Sequence, residues 1–156
     1  MKTFLIILAL LILILRSSFA YEDSWGKVQP LFDGHSRRNV ATLNRDIICL
    51  QDGQPVAYIV QDYLLAASIY GVNGRHLGWI DPFEAIWNHS RECLGGLEHC
   101  AYVQPYKGPI KKAFCKSKGI IKAKREPSPP MPLLFWGPEM GSKSMSLVEF
   151  LMEGLK

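Results

Sequence analysis

The chain has 156 residues, with 18 basic and 14 acidic side chains, a formal charge of +4, 48% hydrophobic residues and four cysteines. That length allows one small domain with a limited core, and the near-neutral balance rules out a polyanion-binding protein defined by bulk charge.

In chain order, residues 1–20 come first. Lys2 supplies a positive start, Phe4 to Leu15 an unbroken apolar run, and Ser18-Phe19-Ala20 a small-x-small cleavage pattern, the three parts of a secretory signal peptide. Twelve apolar residues reach only about 18 Å as a helix, short of a bilayer core of about 30 Å, so cleavage after Ala20 is expected and a retained anchor is the weaker reading. The mature chain then has 136 residues and no second membrane-spanning stretch. Localisation is expected to be secreted or periplasmic.

After a lead-in over residues 21–31, four short units follow at 32–43, 48–59, 69–80 and 86–97. The clearest is IYGVNGRHLGWI, in which Asn73-Gly74 predicts a type I′ hairpin turn with Ile69 opposite Gly78 and Tyr70 opposite Leu77. A phosphate-binding reading of its glycines fails, because G-x-x-G-x-x-x-G has neither the dinucleotide nor the P-loop spacing and no helix follows.

Stacked together, the units share large apolar residues at the first (Phe32, Ile48, Ile69, Ile86), ninth (Val40, Val56, Leu77, Leu94) and twelfth positions (Leu43, Ile59, Ile80, Leu97). Their tenth position is tiny: Ala41, Ala57, Gly78, Gly95. A gap beside a bulky residue in each unit is what hairpins converging on one axis require, since a lone hairpin is marginal in water. The other face of the third unit, Tyr70, Leu77 and Trp79, predicts an exposed aromatic patch. A degenerate fifth unit is expected over 103–114. The repeat domain is therefore bounded at 32–114.

These residues resemble the bacterial four-fold beta flower proteins, which carry hairpins of the type I-Y-x-x-x-G-x-x-x-G-W and a basic, proline-containing tail ending near a Trp. The likeness runs from Leu31 to Trp136 and is strongest over Tyr70 to Trp79. It implies a mostly β fold with four hairpin repeats about a pseudo-four-fold axis. No established activity, catalytic residue or cofactor comes with it. The last unit departs from the pattern, with Ser90-Arg91 at its turn in place of glycine, and the cysteines stand outside it.

Cys49, Cys93, Cys100 and Cys115 all follow the signal segment, and an even number in an exported chain predicts disulfides. Three connectivities are open. The spacing favours Cys93 with Cys100, clipping a short loop, and Cys49 with Cys115, closing a long one. His89, Cys93, His99 and Cys100 are zinc-ligand types without the paired spacing of a structural site, so neither metal nor cofactor is expected. Asn88-His89-Ser90 fits a glycosylation acceptor, relevant only in a eukaryotic host.

Charge is unevenly spread: residues 21–102 hold 6 basic and 10 acidic side chains, residues 103–156 hold 10 and 4. Eight of the cations fall between Lys107 and Arg125. The extension over 115–145 continues through Pro127–Pro132, an extended spacer, to Leu133-Leu134-Phe135-Trp136, an apolar cluster that reads first as a plug docked on the β domain and second as an exposed anchor for a partner. Residues 146–156 end the chain as a short amphipathic helix, with Ser146 and Glu149 forming a capping box.

The expected function is an exported, non-catalytic binding or structural protein of the envelope or extracellular space, contacting an anionic or protein partner rather than nucleic acid. The candidate contact surface is Tyr70, Arg75, His76 and Trp79 with Lys111, Lys112, Lys116 and Lys118. The alternative is a small secreted hydrolase or toxin centred on His76, His89 or His99.

Overall fold

A computed structural model describes residues 27–61, 66–100, 102–103, 108–111, 115–116, 123–127 and 145–156. The signal segment, the Pro127–Pro132 spacer beyond Pro127 and the Leu133–Trp136 cluster lie outside the described residues, as do Lys112 and Lys118. No helix among the described residues is long and apolar enough to cross a membrane.

Eight antiparallel strands form a closed barrel in sequence order: β1 (Val28–Asp33), β2 (Asn39–Asn44), β3 (Ile47–Leu50), β4 (Pro55–Val60), β5 (Ala67–Gly71), β6 (His76–Ile80), β7 (Ala85–Asn88) and β8 (Cys93–Leu97). The four units are four hairpins, and β8 closes on β1 through Leu31↔Leu97, Phe32↔Gly96 and Asp33↔Gly95. Closure leaves no edge for a fifth hairpin. Gly108–Lys111, within the fifth unit expected over 103–114, form no strand. The barrel therefore occupies residues 28–97 rather than 32–114, and β1 takes four residues from the expected lead-in.

The expected pairing of tiny and bulky residues holds in three hairpins: Ile48↔Ala57, Ile69↔Gly78 and Ile86↔Gly95. In the first hairpin Leu31, not Phe32, faces Ala41. Its turn is one residue longer, closed by Asp33 N–H to the Arg38 carbonyl, where the others close from Leu50 to Gln54, Gly71 to Arg75 and Asn88 to Glu92. Leu31 thus joins the central core and Phe32 a second, outer cluster.

Each hairpin also carries a bulge beside its core pair. Tyr70 consequently faces His76, and Leu77 turns into the core with Val56 and Leu94 instead of joining the outer face. The Asn73-Gly74 turn is not type I′, because Gly74 (φ 87°) has a positive φ and Asn73 does not. It is a three-residue loop ending in a left-handed residue, a position filled by Gly53 (84°), Gly74, Arg91 (68°) and, in the longer first turn, Arg37 (57°).

The inward-facing side chains of the strands pack into one core cluster. The helix α1 (Leu147–Met152) and the 3-10 turn after it run across the hairpin-tip end, from the first hairpin, where Leu147 N–H meets Asp33, to the third, where Asn73 Nδ2 donates to the Glu153 carbonyl. Leu147, Phe150 and Leu151 complete the core made by the strands. A Cβ on Gly95 would lie 2.8 Å from Leu147 Cδ2, and one on Gly78 would lie 3.1 Å from Phe150 Cζ and collide with the Trp87 carbonyl. At Gly78 and Gly95 the missing side chain makes room for the neighbouring strand's carbonyl as well as for the protein's own helix. The capping box expected at Ser146 and Glu149 is present in both directions.

Candidate functional site

The outer surface of β4 to β7 carries a continuous aromatic band. Tyr58 stacks on Tyr70 (centroids 5.8 Å apart), Tyr70 meets His76 edge-on (5.1 Å), and His76 and His89 both pack against Trp79 (4.9 and 5.2 Å). The expected exposure of this face is wrong: Tyr70 is 2% exposed, Trp79 3% and His76 5%.

The cover is the basic extension itself. Ala123 N–H bonds the Val72 carbonyl (3.3 Å), Glu126 N–H bonds the Gly74 carbonyl (2.9 Å), and the Glu126 carboxylate accepts from His76 N–H (3.1 Å). Arg125 lies over the Tyr70 ring, 5.6 Å from its centroid. Upstream, the Cys49–Cys115 disulfide and a Lys116 N–H bond to the Gly53 carbonyl (3.0 Å) pin the same segment to the second hairpin. At its described residues, 115–116 and 123–126, the lysine-rich segment is a strap held on the barrel.

Of the expected contact residues, Arg75, Lys111 and Lys116 are exposed. Arg75 sits beside Glu153 of the final turn, 3.5 Å away. An open cleft of about 370 Å³ adjoins it, lined among others by His76, His89, Ser90 and Glu126. Within it His76 Nδ1 and His89 Nε2 stand 2.8 Å apart while the ring centroids are 5.1 Å apart, so the rings meet end to end and share a proton between the two nitrogens. An ion held in line between them at about 2.0–2.1 Å from each would need roughly 4 Å. Among the described residues no three His, Cys, Asp or Glu side chains gather as ligands. Burial lowers the His89 pKa, and Arg75 lowers it further against the opposing pull of Glu126.

A second cluster surrounds Asp81, which is 1% exposed. Its carboxylate accepts from Phe83 N–H (2.8 Å), Ala85 N–H (2.9 Å) and Trp87 Nε1–H (2.9 Å), and burial still holds its pKa above the ordinary value. Those bonds brace the turn between β6 and β7. Cys93 and Cys100 pack nearby with Phe32, Ala85 and Trp87, but the expected bond between them is not formed. The Cys93 thiol instead meets the Gly95 carbonyl at 3.6 Å, and Cys100 packs on Gly96. Burial, reinforced by Cys100, pushes Cys93 up to about 12, and burial raises Cys100, so neither is an activated nucleophile.

A second depression, of about 360 Å³, lies between the tips of the first two hairpins under Gly108–Lys111. Arg38 and Lys111 bound it. Glu126, Arg38 and Gln51 did not stand out in the sequence: Glu126 meets His76 across 50 positions, a separation no local pattern encodes.

A closed barrel of four bulged hairpins places the chain in a class of small β proteins built from four hairpin repeats. The chain belongs to the 4-fold beta flower protein family, whose family model matches residues 29–143. No curated protein and no solved structure matches it.

Proposed function

We propose that this is an exported, non-catalytic binding or structural protein of the cell envelope or extracellular space, which contacts an anionic partner through the basic strap on the outside of the barrel. The observation that carries the reading is the Cys49–Cys115 bond, which fixes a lysine-bearing segment on the barrel surface. Such bonds persist in oxidising compartments, in keeping with the signal-like residues 1–20. With the interior filled by Leu147, Phe150 and Leu151, contact falls to the outer surface.

The in-line His76–His89 pair in its cleft favours a second reading, the His-centred hydrolase or toxin. In that pair the facing nitrogens are used on each other rather than on a nucleophile. One measurement tests the export that both readings share, and two sets of variants separate them. Mass spectrometry of the protein recovered from the native host should find Tyr21 as the first residue. Co-sedimentation with phosphatidylglycerol vesicles should fall when Lys111 and Lys116 are changed to glutamate. Loss of a biological activity in His89→Ala, with folding intact and vesicle binding unchanged, would reverse the preference.

A further inference from the structure

We propose that the depression between the first two hairpin tips is a binding site for a small amphiphilic organic anion, a carboxylate or sulfonate on an apolar body. This rests on the reading that the partner is anionic and names the chemistry of one site for it. The volume, about 360 Å³, is at the small end of the range that takes drug-sized ligands.

Charge gives the sign of the ligand. Arg38 comes from the first hairpin and Lys111 from the strap, and among the described residues that line the depression none is acidic. This contrasts with the acidic excess of residues 21–102. A carboxylate placed between the two cations gains from both, and a guanidinium offers it a planar pair of donors. The apolar part of the ligand has its own wall: Ile110, 42% exposed, stands beside Pro109 above Phe32. An exposed isoleucine next to two cations suits a ligand with a charged head and an apolar body.

The walls are fixed before any ligand arrives. The Asn39 side chain alone joins four segments: Nδ2 donates to the Leu31 carbonyl (3.2 Å) and the Ala41 carbonyl (2.8 Å), while Oδ1 accepts from Gln51 Nε2 (2.7 Å) and Lys111 N–H (3.2 Å). Four residues past Lys111 the strap is tied to the second hairpin by Cys49–Cys115. Both hairpin tips and the strap are thus held to one another by one amide and one covalent bond. A preformed site loses little freedom on binding.

The test uses the oxidised mature chain, ¹⁵N-labelled, titrated with 4-phenylbutyrate and followed by NMR. The amides of Arg38, Asn39, Gln51, Ile110 and Lys111 should shift together, and neutral 4-phenylbutanamide should bind at least tenfold more weakly. Arg38→Glu and Lys111→Glu, both surface changes that keep the circular dichroism of the parent, should each weaken 4-phenylbutyrate by about fivefold or more. Lys116→Glu, outside the depression, should not. Shifts confined to other residues, equal binding of the amide, or indifference to both pocket substitutions would overturn the site. A parallel titration with phosphatidylglycerol vesicles separates the two levels of the claim. Vesicle binding without 4-phenylbutyrate binding refutes the pocket and leaves the anionic-partner reading standing, and absence of both refutes the two together.

Discussion

Leu147 donates its backbone N–H to the Asp33 carboxylate at 2.8 Å, a bond that joins the tip of the first hairpin to the start of the terminal helix across 114 positions. The same carboxylate receives Ser36 N–H (2.7 Å) and His35 N–H (3.1 Å) from its own turn. Burial raises the Asp33 pKa, but the donors from Ser36, Leu147 and His35 together outweigh it, and the group ionises below its ordinary value. A carboxylate depressed in the folded state stabilises fully above its unfolded pKa, near 3.9, and loses that contribution as pH falls through the lower, folded value. Asp33→Ala should cost about 1–3 kcal/mol at pH 7, since it strands buried N–H groups. Urea unfolding of parent and variant should give curves that converge as the pH is taken below 4.

Gly78 tests the claim that the tiny tenth positions exist for close packing. A methyl group there would collide with the Trp87 carbonyl, which is backbone in the paired strand β7 and cannot swing aside, and would press on Phe150 Cζ. Gly78→Ala should therefore destabilise by about 1–3 kcal/mol or more. Phe150→Ala, which empties the plug, should cost about 3–5 kcal/mol. Combining them should not rescue the first, because the harder collision is with the strand; recovery of stability in the double variant, measured by denaturant unfolding, would contradict this packing.

Arg91 shows what local reading captured and what it missed. The repeat of apolar and tiny positions was legible, and so was the pairing of Ile69 with Gly78, because both follow from period-two alternation around a short turn. The bulges were not, since an extra residue in one strand leaves no mark on composition, and they moved Leu77 inward and set Tyr70 against His76. The burial of Tyr70 and Trp79 was hidden for a different reason: their cover comes from residues some fifty positions further on, held by Glu126 and Arg125. Arg91 itself, at φ 68°, occupies the left-handed position that Gly53 and Gly74 hold in the second and third hairpins. Arg91→Gly should raise stability by about 0.5–1 kcal/mol, read as a higher midpoint in thermal unfolding.

His89 gives a pH dependence opposite in origin to that of Asp33. Its folded pKa lies below the ordinary 6.5, first through burial and then through Arg75, so the unfolded chain takes up the proton more readily. Stability from this group is full above about pH 6.5 and falls as pH drops toward the folded value, where a second proton would also set N–H against N–H in the His76–His89 contact. His89→Gln should flatten the fall in melting temperature between pH 7 and pH 5. An NMR titration placing the His89 midpoint above 6.5 would show that Glu126 dominates instead.

The cysteines divide into one covalent tie and two guarded thiols. Cys49 and Cys115 are 66 positions apart, a loop whose closure in the unfolded chain is worth about 4 kcal/mol on the chain-entropy account. Cys115→Ser should therefore lower stability by about 2–5 kcal/mol and release the strap beside Gly53, while leaving the barrel register of β3 and β4 in place. Cys93, raised to about 12 by burial and by Cys100, and Cys100, raised by burial, should both resist iodoacetamide at pH 8 in the folded protein and react once it is unfolded. Mass spectrometry of the non-reduced chain reads both results at once: no added group before denaturation, two after it. Rapid labelling of Cys93 in the native protein would mean that its thiol is far more acidic than its surroundings require.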